Sequence, residues 1–347
     1  MAPRSLYLDE GPGETRAVVC LDEAPERLLI EREGAAAGLR LGARYVARVA
    51  RVDRGLGLAW LDLAEAGDAV LRLKADRPNP HEGQKLEVEI AIEPQAGKDA
   101  VARLLGEGNG APRLIAAAPD LAQWLASFAP GAPISRGRPA RDAADEAEAL
   151  ALAIEHPLPN GGSIAIQPTR ALTAIDVDLG SAGGRDAKRA ARQANLQAIT
   201  TAARILRLKA QCGLVVFDLV GRGHDGQALA QAIRLAFAPD QPGLAFGPVS
   251  RFGTLELAIP RRMRPLAEIL CGEDGAPSTL TLAYRMLRAV EREALADPGG
   301  RIVARGSPAV VAAAQARAEP LRSRLGARFE LISDPALPPQ AMDTSSR

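Results

Sequence analysis

Three aspartates stand at the carboxyl ends of two apolar runs. Asp176 and Asp178 close ALTAIDVD (171–178), and Asp218 sits near the end of LVVFDL (214–219). Side chains alternate along a strand, so Ala174, Asp176 and Asp178 fall on one face and Ile175 and Val177 on the other. Hard divalent cations such as Mg2+ take oxygen ligands, often only one or two carboxylates with several waters. Asp176 and Asp218 meet that demand if their strands are neighbours, and Asp178 stands where it could hold a water on the metal or orient its partner. The plainer reading is that each acid caps a helix or closes a turn, and both readings stay open at this level.

A basic segment separates the two acid-bearing runs. Residues 185–209 carry seven Lys or Arg against one acid, Asp186. Ala191, Ile199, Ala202 and Leu206 trace the apolar stripe of a helix from Asp186 to Lys209. Its cations, Lys188, Arg189 and Arg192 first, are either a solvated face or turned toward phosphate. The excess is local, because the whole chain carries only +1, so global charge does not point to nucleic acid. Other signals are weaker. GRGHDG (221–226) lacks the Lys and Ser/Thr of a P-loop, and His224 reads as a turn residue. His81 and His156 sit in turn-like sequence, with no HExxH and no Cys at zinc spacing. No GxSxG supports a serine hydrolase. Cys20, Cys212 and Cys271 are scattered and read as reduced thiols, buried or inert.

The elements that must position these groups read as α/β. LVVFDL is a near-continuous apolar run, as in a strand buried on both faces. Ser163 to Gln167 and Ala171 to Asp178 flank the PTR turn as strands, GSAGG (180–184) breaks the second, and Gln227 to Phe237 is a helix. Leu244 to Val249 and Thr254 to Ile259 are strands joined by SRFG. Ligands in open α/β sheets sit beyond the carboxyl ends of strands, where all three aspartates fall. Upstream, Arg16 to Leu21 and Arg27 to Glu31 form a hairpin. Four or five short strands between Leu39 and Arg103 suggest a small β-barrel such as an OB-fold, which binds single-stranded nucleic acid in many proteins but not all. Leu114 to Ala118 is a strand, Pro119 to Phe128 a short helix, and Asp142 to His156 an acidic, solvated helix. A helix over Thr279 to Ala296, then Arg301 to Val303, Pro308 to Leu325 and Arg328 to Ile332, form a C-terminal β-α-β appendage, and the chain frays from Asp334.

At 347 residues and 47% hydrophobic content, two or three folded domains are expected. Aromatics are only 3%, which argues against a base-stacking platform rich in Phe and Tyr. No apolar run approaches the roughly 20 residues of a membrane helix, and the start lacks a long apolar signal core. A cytoplasmic protein is expected.

Several colinear motifs resemble the ribonuclease E/G endoribonucleases: LPNGGSIAIQPTRALTAIDVDLGS (158–181), NLQA (195–198), RILRLK (204–209), GLVVFDLV (213–220) and SRFGTLEL (250–257). ETRAVVCLDEAPERLLIERE, GARYVARVARV and the region ending in GARFELISD also look like the family. The resemblance implies an RNase H-like part (1–38 and 104–160), an inserted S1-type OB-fold barrel (39–103), a DNase I-like catalytic subdomain (161–268), a small C-terminal α/β domain (276–335) and a flexible tail (336–347). It implies that Asp176 and Asp218 hold Mg2+, or Mn2+, and that the third active-site position, usually Asn, is Asp178. An Asp there adds charge and cannot donate an amide proton. Lys98 matches a basic position beside the scissile bond, and Arg251 and Phe252 match the element flanking the site. The implied activity is Mg2+-assisted hydrolysis of single-stranded RNA, in RNA processing or decay, leaving 5′-phosphate and 3′-hydroxyl ends.

The chain also departs from the pattern. Cys271 stands alone in CGEDG, so zinc is not expected and any homo-oligomer forms without a zinc link. The segment between barrel and catalytic part is short, and the 5′-monophosphate sensor with its Arg-Thr pair is missing. Val70 replaces a stacking ring in the barrel, leaving Trp60 to supply aromatic surface. Gln167 and Arg170 stand where the family carries acids. The alternatives are therefore a non-catalytic RNA-binding scaffold of the same descent and a metal phosphoesterase on small nucleotides.

Overall fold

The computed structural model describes residues 3–34, 37–74, 79–95, 97–180 and 187–346. Three strands, β1 (Arg4–Gly11), β2 (Glu14–Leu21) and β3 (Ala24–Arg32), form an antiparallel meander. Asp22 and Glu23 both take positive φ between β2 and β3, the backbone that matches the twist of a two-residue hairpin. β1 is a strand beyond the hairpin read from sequence. Its acids disguise it: Asp9 is buried because Arg16, its register partner on β2, meets it across the sheet.

The next strands are β4 (Arg44–Asp53), β5 (Leu58–Asp62), β6 (Asp68–Arg72), β7 (Lys85–Ile92) and β8 (Ala100–Glu107). They run in the order β5-β6-β8-β7-β4, and β4 returns to β5 to close a five-strand barrel consistent with an OB-fold. Alternation fills the interior: Tyr45, Ala47 and Val49 point in, while Arg44, Arg48 and Arg51 stay exposed. β8 continues past residue 103, and β9 (Arg113–Ala116) lies along β4 outside the ring.

α1 (Leu121–Phe128) starts at a capping box between Asp120 and Gln123. β10 (Ile134–Ser135) adds to β1 in parallel. α2 (Arg138–Leu152) corrects the expectation of a solvated acidic helix: Ala140, Ala144, Ala147, Glu148 and Ala151 are buried. It also ends before His156, which lies in β11 (Glu155–Pro157) and is 2% exposed, not in a turn.

A six-stranded sheet follows, built from β11, β12 (Ser163–Pro168), β13 (Thr173–Asp178), β14 (Gly213–Asp218), β15 (Ala245–Phe246) and β16 (Thr254–Ile259). Its order is β11-β12-β13-β14-β16-β15, and only β13 and β14 are parallel. Parallel neighbours need a crossover, supplied by α3 (Ala187–Leu208). The expected helix start at Asp186 and the break at 181–184 lie outside the described residues. α4 (Gly226–Ala236), capped by Asp225, and α5 (Leu266–Leu270) complete the unit. Ile175, Val177, Val215, Phe217 and Leu255 share a core with α3 and with Val18 and Leu28 of the first sheet. The opposite face is open. Leu214 is 43% exposed, so β14 is buried on one face rather than both.

The last unit comprises α6 (Thr279–Ala296), β17 (Ile302–Gly306), α7 (Pro308–Gln315), α8 (Glu319–Leu325), β18 (Phe329–Ser333) and β19 (Met342–Ser346). The helix expected over 308–325 is two helices, with Pro320 in the first turn of the second. The tail is not frayed throughout: β19 pairs antiparallel with β17 over five residues, despite its polar MDTSS sequence. Among the described residues, no helix is long and apolar enough to cross a membrane.

Candidate active site

Asp176 and Asp218 are register partners on the parallel strands β13 and β14. Their backbones are therefore one strand spacing apart, about 4.8 Å, with side chains on the same face. Both are exposed, and neither carboxylate has a hydrogen bond or ion pair among the described residues. Two like charges side by side without a protein cation repel, and a shared divalent cation relieves that repulsion. The donor set fits a hard metal held by two carboxylates and waters. No larger cluster exists: among the described residues, no three His, Cys, Asp or Glu groups converge as metal ligands. Asp178 sits one alternation further along β13, and its Oδ1 accepts from the Gly180 backbone N–H at 2.9 Å. That local turn bond is the plainer role, and it holds at Asp178 alone of the three acids.

Local chain geometry fixes this strand end. Gly162 has φ +81°, and a side-chain carbon there would lie 2.2 Å from the Asp178 carbonyl oxygen, so only glycine lets β12 pass. Asn195 of α3 is 2% exposed and grips the backbone after β14 from both sides. Its Nδ2 donates to the Val220 carbonyl at 2.9 Å, and its Oδ1 accepts from the Val220 N–H at 3.1 Å. Sequence reading gave Asn195 no role, although it opens the NLQA motif; the signal was a polar residue on the apolar side of an otherwise regular helix. Glu256 was also passed over. On β16 it pairs with Val216 of β14 and is exposed on the same open face as the aspartates.

The SRFG turn belongs to the same end of the sheet, because Thr254 is the register partner of Asp218. Ser250 Oγ bonds Thr254 Oγ1 at 2.8 Å and accepts from the Phe252 N–H at 3.2 Å. The turn holds the Phe252 ring 76% exposed, with the Arg251 guanidinium 4.6 Å from its centroid. Lys188, Arg189 and Arg192 lie on the first turns of α3 and line a cavity with Arg222 and His224 from the turn after β14.

Lys98 and Trp60 are the two barrel-segment residues expected to touch RNA. Lys98 lies on a hairpin whose Gln95 donates to the Met263 carbonyl at 2.9 Å and lies 3.6 Å from the Cys212 sulfur. Cys212 precedes the amino end of β14, so the Lys98 hairpin meets the opposite end of that strand from Asp218. Strand order, invisible in a local motif, produces this separation. Trp60 is on β5 of the barrel, paired with Val70 and covered by the Arg51 guanidinium at 4.7 Å. The thiols hold no nucleophile poised for reaction: burial pushes Cys20 up to about 11 and raises Cys212 and Cys271 as well.

A mixed α/β chain with a closed small barrel, presenting paired acids at the carboxyl ends of parallel strands, is the class that fold and site define. Residues 143–262 match the model of the Ribonuclease E/G family. The segment includes every acid at the strand ends, α3 and the SRFG turn. Ribonuclease E of Haemophilus influenzae is 36% identical over 150 residues, covering 40% of this chain and 16% of that protein. Ribonuclease E of Escherichia coli is 35% identical over 150 residues, covering 40% and 14%. Ribonuclease G of Escherichia coli is 25% identical over 166 residues, covering 45% and 34%. The matches thus span about a third or less of these relatives' length.

Proposed function

We propose that this chain is an endoribonuclease that cleaves single-stranded RNA with the help of Mg2+, or Mn2+, held by Asp176 and Asp218. The observation that carries the reading is the register Asp176↔Asp218, which sets two unpartnered carboxylates side by side. A divalent cation bound there supplies charge neutralisation at a phosphate and acidifies a water. The chain's own groups do the rest. Asn195 and the strand pairing fix Asp218 against movement along the chain. Arg251 and Phe252 present a cation and an exposed ring at the same sheet end, for a phosphate and a base. Lys188, Arg189 and Arg192 line a cavity with the turn that follows β14, and their charge draws a polyanion toward that end of the sheet. Asp178 organises the chain at Gly180 and orients a water when that bond opens.

In the same reading the barrel (39–103) binds the single strand, with Trp60 and Arg51 as its stacking pair, and 161–268 is the catalytic, DNase I-like part. The 1–38 and 104–160 segments are RNase H-like, 276–335 a small C-terminal domain, and the protein acts in the cytoplasm without zinc. Lys98 serves as a phosphate contact remote from the reacting bond. The test is cleavage of a 5′-labelled single-stranded RNA with and without Mg2+, beside Asp176→Asn. Metal-dependent cutting that disappears in the variant supports the proposal. Equal cutting in EDTA, or RNA binding without cleavage across varied substrates, sinks it; the second outcome is the one a non-catalytic scaffold gives.

A further inference from the structure

The Asn195 grip on Val220 has a second effect beyond holding Asp218. It turns the chain after β14 back over α3, and the turn, α3 and the start of α4 together enclose a cavity of about 420 Å3. That is in the size range of small-molecule sites. Its polar wall comes from Lys188 and Arg192 on α3 and from Arg222, His224 and Asp225 on the turn. Its floor is apolar, made by Leu196 and Leu229.

The wall is built rather than incidental. Gly221 has φ +88°, and a side-chain carbon there would lie 3.0 Å from the Ala191 methyl, so the turn is seated directly on the helix. Asp225 uses both oxygens: Oδ1 accepts from the Ala228 N–H at 3.0 Å to cap α4, and Oδ2 holds Arg192 at 2.7 Å. The only acid of the wall among the described residues is thereby consumed in positioning. Lys188, Arg222 and His224 keep no hydrogen-bond or ion-pair partner among the described residues. A concave site whose cations outnumber its one acid among the described residues attracts a multivalent oxyanion, and phosphate matches that chemistry. The apolar floor suits the sugar or base that carries it.

We infer that this cavity is a phosphate subsite that holds a nucleotide's phosphate next to the Asp176 and Asp218 pair. Val220, two residues beyond Asp218, lines it, so a ligand spanning both places is short. Phosphate binding follows from the cavity itself; only the naming of the carrier as RNA rests on the proposed function. Two sources share the chemistry: a terminal phosphate monoester, or an internal phosphodiester of a chain.

The experiment is calorimetric titration with adenosine 5′-monophosphate and, separately, with a diadenosine dinucleotide bearing hydroxyl ends. It is run at low salt in EDTA, so that the acid pair carries no metal. The wild-type protein is expected to bind at least one probe at millimolar concentration or below. Lys188→Gln with Arg222→Gln weakens that binding by about ten-fold or more. Lys188→Arg with Arg222→Lys keeps it within about three-fold, and Asp176→Asn leaves it unchanged or tighter. Preference for the monophosphate assigns the subsite to a chain end, and preference for the dinucleotide assigns it to the chain interior; both support a phosphate subsite. Binding equal in wild type and the Gln pair, equal loss in both double variants, or no binding of either probe overturns it. Charge-dependent binding in a protein that cuts no RNA in any metal leaves the subsite standing and removes the endonuclease reading alone.

Discussion

Two acidic regions of this molecule are treated in opposite ways. Between the first sheet, α2 and α6, charges are buried and fully paired. Arg16 donates to Asp9 at 3.0 Å and to Glu148 at 3.0 Å; Arg288 reaches Glu148 at 3.0 Å and also bonds Glu14; Arg285 meets Glu148 at 2.7 Å. Burial would raise the Glu148 pKa, but Arg288, Arg285 and Arg16 overcome it and hold the carboxyl below the usual range. At the end of β13 and β14, Asp176 and Asp218 are exposed, adjacent and without a hydrogen-bonded or ion-paired cation among the described residues. The difference separates charge that builds the fold from charge left for a ligand. The first kind ties three elements together, and the second contributes nothing to stability that its removal would cost.

The largest contrast is therefore expected between one variant from each region. Glu148→Ala takes the shared carboxylate away from Arg16, Arg285 and Arg288 and costs about 3–5 kcal/mol of stability in denaturant unfolding. Asp218→Asn should leave the unfolding midpoint unchanged or slightly higher, because it removes a repulsion, while lowering RNA cleavage by at least about a hundred-fold, or roughly 2.7 kcal/mol of barrier. A loss of stability at Asp218 as large as that at Glu148 would erase the distinction.

His156 tests what burial of a ring nitrogen without a partner does. It lies 2% exposed, and its Nε2 has no hydrogen-bond partner. Burial, with the nearby Lys209 and Arg204 cations, lowers its pKa to about 4 from 6.5, against a hydrogen bond to the Ala153 backbone. The unfolded chain then binds the proton that the folded one refuses. The stability from neutral His156 is complete above about pH 6.5 and is lost as pH falls toward 4, by about 2–4 kcal/mol. His156→Leu should flatten that slope in unfolding curves across the window; an unchanged slope would show that another group titrates there.

The smallest effect concerns positioning. Asn195→Ala removes both bonds to Val220 and should cost about 1–3 kcal/mol of stability. If the clamp matters for geometry, cleavage at saturating RNA falls while the Michaelis constant stays within about three-fold, a split that a purely structural role does not produce. Asn195→Asp keeps the acceptor for the Val220 N–H but not the donor, and should recover only part.

The sequence exposed the acids and hid their surroundings, for reasons seen residue by residue. Alternation in TAIDVD and VVFD was enough to put Asp176 and Asp218 at strand ends on one face. That they are register partners depends on β13 and β14 being parallel neighbours through α3, a long-range fact that their motifs imply and their spacing does not. Buried ion pairs misled the pattern elsewhere. Asp9 kept β1 from being read as a strand, and the acids of α2 made it look solvated, because Arg16 and Arg288 come from other segments. β19 carries no apolar alternation and gains its place from pairing with β17. Lys98 was placed near the acids by its motif and lies at the opposite end of β14, since strand direction decides which end a neighbouring hairpin meets.

The most direct measurement is Mn2+ binding followed by electron paramagnetic resonance, with thermal unfolding of the same samples. The account predicts that the wild-type protein binds the ion and that Asp176→Asn and Asp218→Asn each weaken it by at least about ten-fold, with melting temperatures of the metal-free proteins unchanged. Equal Mn2+ affinity in wild type and both variants would contradict it, because the two unpartnered carboxylates would then hold nothing.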